Sequence, residues 1–559
     1  MKNPYEAQST LKKEFPIYVE RDADDKIIEY LEKDYLCNIL TPRKFGKSSL
    51  LMRAIEKLKK KYVCIYCELP SVDEEQGDNK EDWEETKQAK HIKIFYQKFL
   101  DVLIKQLESK LKAFDLDLGF SSIEKWNQKC PESGPEIFFR YVSEKLNNKI
   151  KIIVFIDEIE FVKSLPFSTD NFFREIRGLL NDKTRLNIFN FCFVGVAKVS
   201  DLIANPEITS FNLGKKIELT GFKLTPNNEV PNNLRVLITN ELKSKCENPE
   251  KVIKTVVEIT GGQPFLTQKF LSLIIEHVEE NIGENQEYEF LNNLKSRYIT
   301  TDWRRNDIPV HFETIERRII MNKLVNGKIT NELKNYNETA QRLNMYRHIL
   351  TEKVKVIADD LMGQNKETMD DLILSGLVVV NNEGFLKAYC PIYQQIFGVK
   401  WINNWLDTIT PPWYREKKTG WELSNSDSDQ RDTYYLLYGE QLQKAQKYKT
   451  LSSEDEDFIN QSQGFYNVAR QNLHRTIRID LPRTKKEIII NRMRYWSNYD
   501  GDIFETLMGV IKRQNIDVEN IDVKNIDDMI KKDLIRNWQQ EDILRSVDDQ
   551  LKRQNEDSY

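Results

Sequence analysis

Two short stretches hold the residues best suited to chemistry. In Asn38-Ile-Leu-Thr-Pro-Arg-Lys-Phe-Gly-Lys-Ser-Ser-Leu-Leu51 an apolar run meets a loop ending in Gly-Lys-Ser, and good helix formers follow. A helix that opens straight after such a loop presents free backbone N–H groups and a positive dipole end, which together suit a phosphate. Gly46 lets the backbone approach a β-phosphate, Lys47 reaches β- and γ-oxygens, and the Ser48 hydroxyl is a ligand for Mg²⁺. The candidate loop is thus Thr41, Pro42, Arg43, Lys44, Phe45, Gly46, Lys47, Ser48 and Ser49. Thr41 stands where the usual spacing has its first glycine, and a bare Gly-Lys-Ser is a short motif, so the rest of the chain must supply the context.

That context is Lys151-Ile-Ile-Val-Phe-Ile-Asp-Glu158, an apolar strand with two adjacent carboxylates at its carboxyl end. Open α/β sheets bind ligands at that end. Asp157 is the candidate Mg²⁺ residue, acting through water, and Glu158 the candidate general base for an attacking water. The plainer alternative for the pair is a helix N-cap. A further apolar run, Asn187–Val196, ends in Gly195-Val-Ala-Lys-Val-Ser200, where Lys198 or Ser200 is a candidate to sense a γ-phosphate, against the alternative of a plain surface loop. Arg174 and Arg177 are candidates to reach a neighbouring subunit's nucleotide, against the alternative of solvated helix arginines.

The elements that must position these residues alternate strand and helix over 35–222, the pattern of a parallel α/β sheet. Strands are expected at Tyr35–Thr41, Lys61–Glu68, Lys151–Asp157, Asn187–Val196 and Lys215–Leu219. The strand after Asp157 points to a P-loop ATPase core with an added central strand. Ser71–Lys90 reads as an acidic surface loop. From Leu224 to Asn365 the pattern is helical; Leu372–Val380, Asn381–Gly384 and Phe385–Tyr389 then read as helix end and strand, tight turn, and strand, suggesting a winged helix. The expected organisation is an N-terminal segment (1–34), the α/β P-loop core (35–222), a helical lid (223–344), a winged helix (345–407), a linker (408–432) rich in Pro, Ser and Asp, and a helical C-terminal region (433–559). The last carries a candidate degenerate repeat of 255–320, and Trp496, Ile503, Leu507, Ile511 and Trp538 include spacings of one apolar helical stripe.

Composition bounds the partners. With 559 residues, 40% of them hydrophobic, the chain has material for several cores, and a net charge of −5 gives no global attraction for phosphate backbones. No window approaches the ~20 apolar residues of a membrane span, so no membrane partner and a cytoplasmic location are expected. The seven scattered cysteines suit reduced thiols. Cys64 and Cys67 form a C-x-x-C inside an apparent strand, where residues three apart face opposite sides, and so read as small core residues.

The chain resembles the AAA-like domain proteins of the STAND class, signal-transduction ATPases with numerous domains, of the bacterial and cyanobacterial type. The resemblance rests on Tyr18-Val-Glu-Arg-Asp-Ala-Asp24, Thr41 to Leu50, Thr260-Gly-Gly-Gln-Pro-Phe-Leu-Thr-Gln268, Leu374-Ser-Gly-Leu-Val378 and Ile392-Tyr-Gln-Gln-Ile-Phe397. Asp302-Trp-Arg-Arg-Asn-Asp307 with His311, and Leu436-Leu-Tyr-Gly-Glu-Gln-Leu442, add to it. It covers roughly residues 10–465. In that family Thr already fills the first loop position. The resemblance implies ATP or ADP with Mg²⁺ as cofactors, Pro264 packing on the adenine, and Tyr18 to Arg21 framing the base. It also implies a slow ATPase switch that opens or oligomerises on exchanging ADP for ATP and recruits a protein partner or effector in signalling or antiviral defence. The competing expectation is a DNA-acting ATPase of the origin-recognition or transposition-regulator type. The acidic stretch Ala358–Leu372 before the turn argues against that, because a recognition helix for phosphates should be basic.

Overall fold

Four short, largely buried apolar runs and an exposed edge strand line up in parallel: β1 (Cys37–Leu40), β2 (Val63–Glu68), β3 (Ile152–Asp157), β4 (Phe189–Gly195) and, at the edge, β5 (Lys215–Lys216). Continuous burial is what a sheet covered by helices on both sides demands. In this computed structural model the strand order is β2-β3-β4-β1-β5. β4 therefore lies between the strand that feeds the loop and the strand that ends in Asp157, as the α/β P-loop ATPase class with an added central strand requires. The structure describes residues 3–5, 17–70, 84–129, 135–147, 149–181, 188–202, 214–278, 281–283, 285–320, 324–325, 328–329, 332–351, 354–355, 364–381, 383–423, 435–437, 439–447 and 455–464.

The two faces of the sheet have separate cores. One holds Cys67 with Phe95, Phe99, Leu103, Trp126, Phe138 and Phe173; the other holds Cys64 with Ile39, Leu50, Leu51, Phe155 and Val194. The two cysteines thus face opposite sides, both buried and both free thiols, and no joint chemistry is open to them. Phe95, Phe99, Leu103, Leu107 and Leu111 recur at helical spacing along the helix Glu84–Leu111 and explain why it lies on the sheet. That helix begins inside the stretch read as an acidic loop, whose residues 71–83 lie outside the described residues.

The chain divides into two units, one comprising residues 1–320 and 345–401, the other 321–344 and 402–559. In the first, the helices Pro249–Thr260, Pro264–His277, Glu287–Lys295 and Phe312–Ile320 follow the sheet. After them the helix Gln364–Ser375 leads into β9 (Val378–Val380) and β10 (Phe385–Ala388), the strand–turn–strand that the sequence indicates, with β8 (Val354–Lys355) on the other edge of β10.

In the second unit, β6 (Leu324–Val325) and β7 (Lys328–Ile329) form a small antiparallel pair within a stretch that reads as purely helical. Part of the expected linker is also ordered. Pro412–Leu423 is a helix whose Tyr414 and Trp421 are buried with Leu437, Leu442 and Phe458. Pro412 takes the first helical position, where its missing N–H costs nothing. Residues 455–464 are helical too. The candidate repeat and the stripe from Trp496 to Trp538 lie outside the described residues.

Candidate functional site

The loop after β1 is held from both ends. Thr41 N–H donates to Gly195 O at 3.0 Å, extending the β1–β4 register into the loop. Gly46 sits at φ 85°, a left-handed conformation open to glycine, and the helix Lys47–Leu58 starts directly after it with no side chain capping its first turn. Its leading N–H groups thus remain for a ligand. Lys47 folds over the loop, its Nζ donating to the carbonyls of Thr41 and Pro42, each at 2.9 Å. Burial lowers its pKa to about 8, against the opposing pull of Glu160 and Asp157.

The acidic half of the site faces it. Ser48 Oγ lies 3.4 Å from Asp157 Oδ2, which also accepts from the Tyr66 hydroxyl at 3.1 Å. Burial raises the Asp157 pKa, partly offset by hydrogen bonds from the Glu158 N–H and Tyr66 and by Lys47. Glu158 adopts φ 51° at the start of the short helix Ile159–Ser164, yet its side chain makes no capping bond and is exposed. Glu158 thus stands at the N-cap position of that helix without capping it through its side chain. Its pKa is raised by burial and by the neighbouring carboxylates Glu68, Glu160 and Asp157, which makes it a stronger base than a free glutamate. Among the described residues no three His, Cys, Asp or Glu side chains gather as a metal site. Ser48 and Asp157 suit Mg²⁺ instead, which binds through one or two protein oxygens and completes its shell with water and phosphate.

Three further segments close on the loop. Arg21 donates to Phe45 O at 2.9 Å and to Thr220 O at 3.1 Å, and a Cβ on Gly46 would lie 3.2 Å from its Nη2. Tyr18 is buried, donates to Asp24 Oδ1 at 2.7 Å, and lies under the Arg53 guanidinium at 4.0 Å. Pro264 opens its helix and is buried; the residues flanking it touch the loop, Gln263 Nε2 donating to Lys44 O at 3.1 Å and the Phe265 ring lying 5.0 Å from Lys44 Nζ. From the hairpin region, Tyr389 meets Phe45 edge to face with ring centroids 5.4 Å apart. The turn at Gly376 runs so close that a Cβ there would lie 3.1 Å from Pro42. Ser49 is buried and Arg43 exposed.

The other candidates diverge. Lys198 Nζ is paired with Asp371 Oδ1 at 2.8 Å. Arg174 is exposed and donates to Asn171 on its own helix. The side chain of Ser200 lies outside the described residues. Three contributors escaped the sequence reading. Gln263 was hidden inside the Gly-x-Pro motif. Glu160, two residues past the acidic pair, accepts from Val196 N–H at 2.8 Å, and Arg318 Nη2 donates to Val196 O at 3.3 Å. No local pattern marks Arg318, because it is brought in from a helix 122 residues away.

A parallel sheet of this order, with a Gly-Lys-Ser loop opening a helix and an Asp-Glu pair at the end of the strand beyond β4, defines a P-loop ATPase-like domain. Residues 6–284 match the model of the AAA-like domain family, so the chain carries an AAA-like domain. It is 31% identical over 475 residues to an uncharacterized WD repeat-containing protein of Synechocystis sp., a match covering 82% of this chain and 35% of that protein. The chain thus spans about a third of that relative's length. Solved structures give fainter likenesses. The Walker-type ATPase PABY2304 of Pyrococcus abyssi is 13% identical with a TM-score of 0.42, covering 71% of this chain and all of that one. The ORC2 protein of Aeropyrum pernix is 12% identical with a TM-score of 0.33, covering 70% of this chain and 94% of its own. Scores this low add nothing to what the sheet order shows.

Proposed function

We propose that this chain is an ATP-binding switch of the STAND type, in which a P-loop site holding ATP or ADP with Mg²⁺ controls whether the segments around it stay closed. The observation that carries the reading is the packing of the hairpin region directly on the phosphate loop, Tyr389 on Phe45 and Gly376 on Pro42. With Arg21 and Gln263 holding the carbonyls of Phe45 and Lys44, segments far apart in sequence share one small loop. A ligand that fits the loop better in one arrangement than another shifts the balance between them.

In this reading Lys47 and the N–H groups after Gly46 hold the phosphates, and Ser48 and Asp157 hold Mg²⁺, which supplies charge neutralisation at the β- and γ-oxygens. Glu158 takes the proton of an attacking water. Tyr18, Arg21 and Pro264 frame the base. Hydrolysis is slow, the ATP state oligomerises or opens, and the output is recruitment of a protein partner in signalling or defence. The WD repeats named in the Synechocystis relative support a protein partner, since repeat arrays present extended binding surfaces.

Light scattering of the full chain with Mg²⁺ and ADP, ATP or a non-hydrolysable ATP analogue tests the switch. A larger mass or radius with the analogue than with ADP is expected. Identical mass and radius in all three, with nucleotide shown to be bound, would sink it.

A further inference from the structure

Lys198 stands just beyond the tip of β4, where a γ-phosphate sensor is expected, yet its ammonium is engaged. Asp371 Oδ1 lies 2.8 Å away and the Glu367 carbonyl 3.3 Å, both on the helix Gln364–Ser375 that leads into the hairpin. The lysine side chain is 10% exposed and the aspartate 13%, so little water screens the pair. A second cation, from a third element, lies within electrostatic reach of the same carboxylate. Arg318, on the helix Phe312–Ile320, feels the charges of Asp371, Asp201 and Glu160. Asp201 is already paired with Lys163 at 2.5 Å, and Glu160 holds the Val196 N–H. Arg318 also holds the Val196 carbonyl and is near enough for its charge to be felt at Lys47. Hydrogen bonds join Glu160 through the Val196 peptide to Arg318, an ion pair joins Asp371 to Lys198, and the charges of Lys47, Arg318 and Asp371 act across the short gaps between them.

We propose that Asp371 is an internal competitor of the γ-phosphate: it occupies Arg318 and Lys198 when ADP is bound, biases the site toward ADP, and yields those cations when ATP arrives. The acidity of the stretch before the hairpin then serves the chain's own core. ATP carries one more negative phosphoryl group than ADP, which would add negative charge beside Lys47. That group and the Asp371 carboxylate draw on the same two cations. By reciprocity, whatever the Asp371 contact costs ATP binding, ATP costs the Asp371 contact, and the helix bearing it is the one continuous with the hairpin on the loop. The inference rests on the nucleotide-site reading above and adds the residue that makes that site tell ATP from ADP.

The test is calorimetry on the full chain with Mg²⁺·ADP and a Mg²⁺-bound non-hydrolysable ATP analogue. Asp371→Asn should raise the ratio of ATP-analogue to ADP affinity about tenfold, within the usual range of coupling between sites, with ADP affinity little changed. Lys198→Gln should move the ratio the opposite way, because a γ-phosphate ligand is lost and Asp371 is left wholly to Arg318. Asp371→Glu, which keeps the charge, should leave it near the parental value. A ratio unmoved by Asp371→Asn, or both affinities falling in step, overturns the proposal, since a purely structural aspartate would not discriminate between nucleotides. Should Asp371→Asn fail to fold, an unmoved or raised ratio in Lys198→Gln overturns it equally. A parental protein that binds neither nucleotide defeats the site reading itself, a result distinguishable from these because it precedes any variant.

Discussion

Gly262→Ala is the sharpest mechanical test of the coupling between the loop and the segments around it. Gly262 sits at φ 68°, its N–H donates to Val257 O at 2.9 Å, and its carbonyl accepts from Phe222 N–H at 2.7 Å. A Cβ built there would lie 1.9 Å from Phe222 O and 3.0 Å from Phe222 N. The left-handed backbone costs a side-chain-bearing residue about 1–2 kcal/mol. Moving one strand of chain roughly 1 Å to relieve the overlap costs about 1–3 kcal/mol, and a lost Phe222–Gly262 hydrogen bond about 1 kcal/mol more. The total, about 3–6 kcal/mol, falls next to Gln263, whose amide holds the Lys44 carbonyl. If that strut moves with the backbone, even a third of the cost appearing in binding weakens ADP about tenfold, since each 1.4 kcal/mol is a factor of ten. Calorimetry with Mg²⁺·ADP, paired with hydrogen exchange over 249–277, reads both effects. Gly384→Ala is the control, because φ there is 81° but nothing lies within 4 Å of the added methyl; it should strain its own turn and leave ADP affinity alone. Parental affinity and exchange in Gly262→Ala would refute the argument that this glycine holds Gln263 on the loop.

Lys47→Ala should abolish or strongly weaken nucleotide binding, because this ammonium is the group aimed across the loop; unchanged affinity by calorimetry would remove the site assignment. Since the Lys47 pKa is lowered to about 8 and a phosphate would raise it, nucleotide affinity should be level below that pH and fall above it, by up to tenfold per pH unit, and a flat profile from pH 7 to 10 contradicts the linkage. Glu158→Gln should retain Mg²⁺·ATP while losing about 10²–10⁴ in turnover, the usual worth of a general base, with stability unaltered because the side chain caps nothing; parental turnover in a phosphate-release assay rules the base out. Duplex DNA binding should be weak and collapse between low and ~0.15 M salt, as a chain of net charge −5 releases few counterions; tight binding at the higher salt by anisotropy would revive the DNA-acting alternative.

Four strands of the core were legible because each is an apolar run bounded by polar segments, and these four and the exposed edge strand Lys215–Lys216 lie inside their expected ranges. Cys64 and Cys67 could be placed on opposite faces from strand periodicity alone, and they lie in the two separate cores. The helix Pro412–Leu423 inside the region 408–432 is less legible, again for a physical reason. The region's prolines and serines suggest a break, but Pro412 is tolerated at a helix start, and Tyr414 and Trp421, ten and three residues before the polar run at Ser424, have an apolar cluster to enter.

What the sequence determined by itself is everything local: a loop whose glycine, lysine and serine must follow one another on the turn into a helix, and two carboxylates that must follow an apolar strand. Their chemistry is fixed by residue type and by spacings of a few residues, and spacing survives into any fold that keeps those elements. What only the tertiary structure decided is which distant groups arrive beside them. Gln263 reaches Lys44 across 219 residues, Arg318 reaches Val196 across 122, and Asp371 meets Lys198 at 2.8 Å. None of these carries a signature, because a glutamine, an arginine or an aspartate on a helix looks the same in sequence whether it faces water or a partner. The choice is made by the packing of sheet and helices, which turns one face of each helix inward and commits the charges on that face to each other.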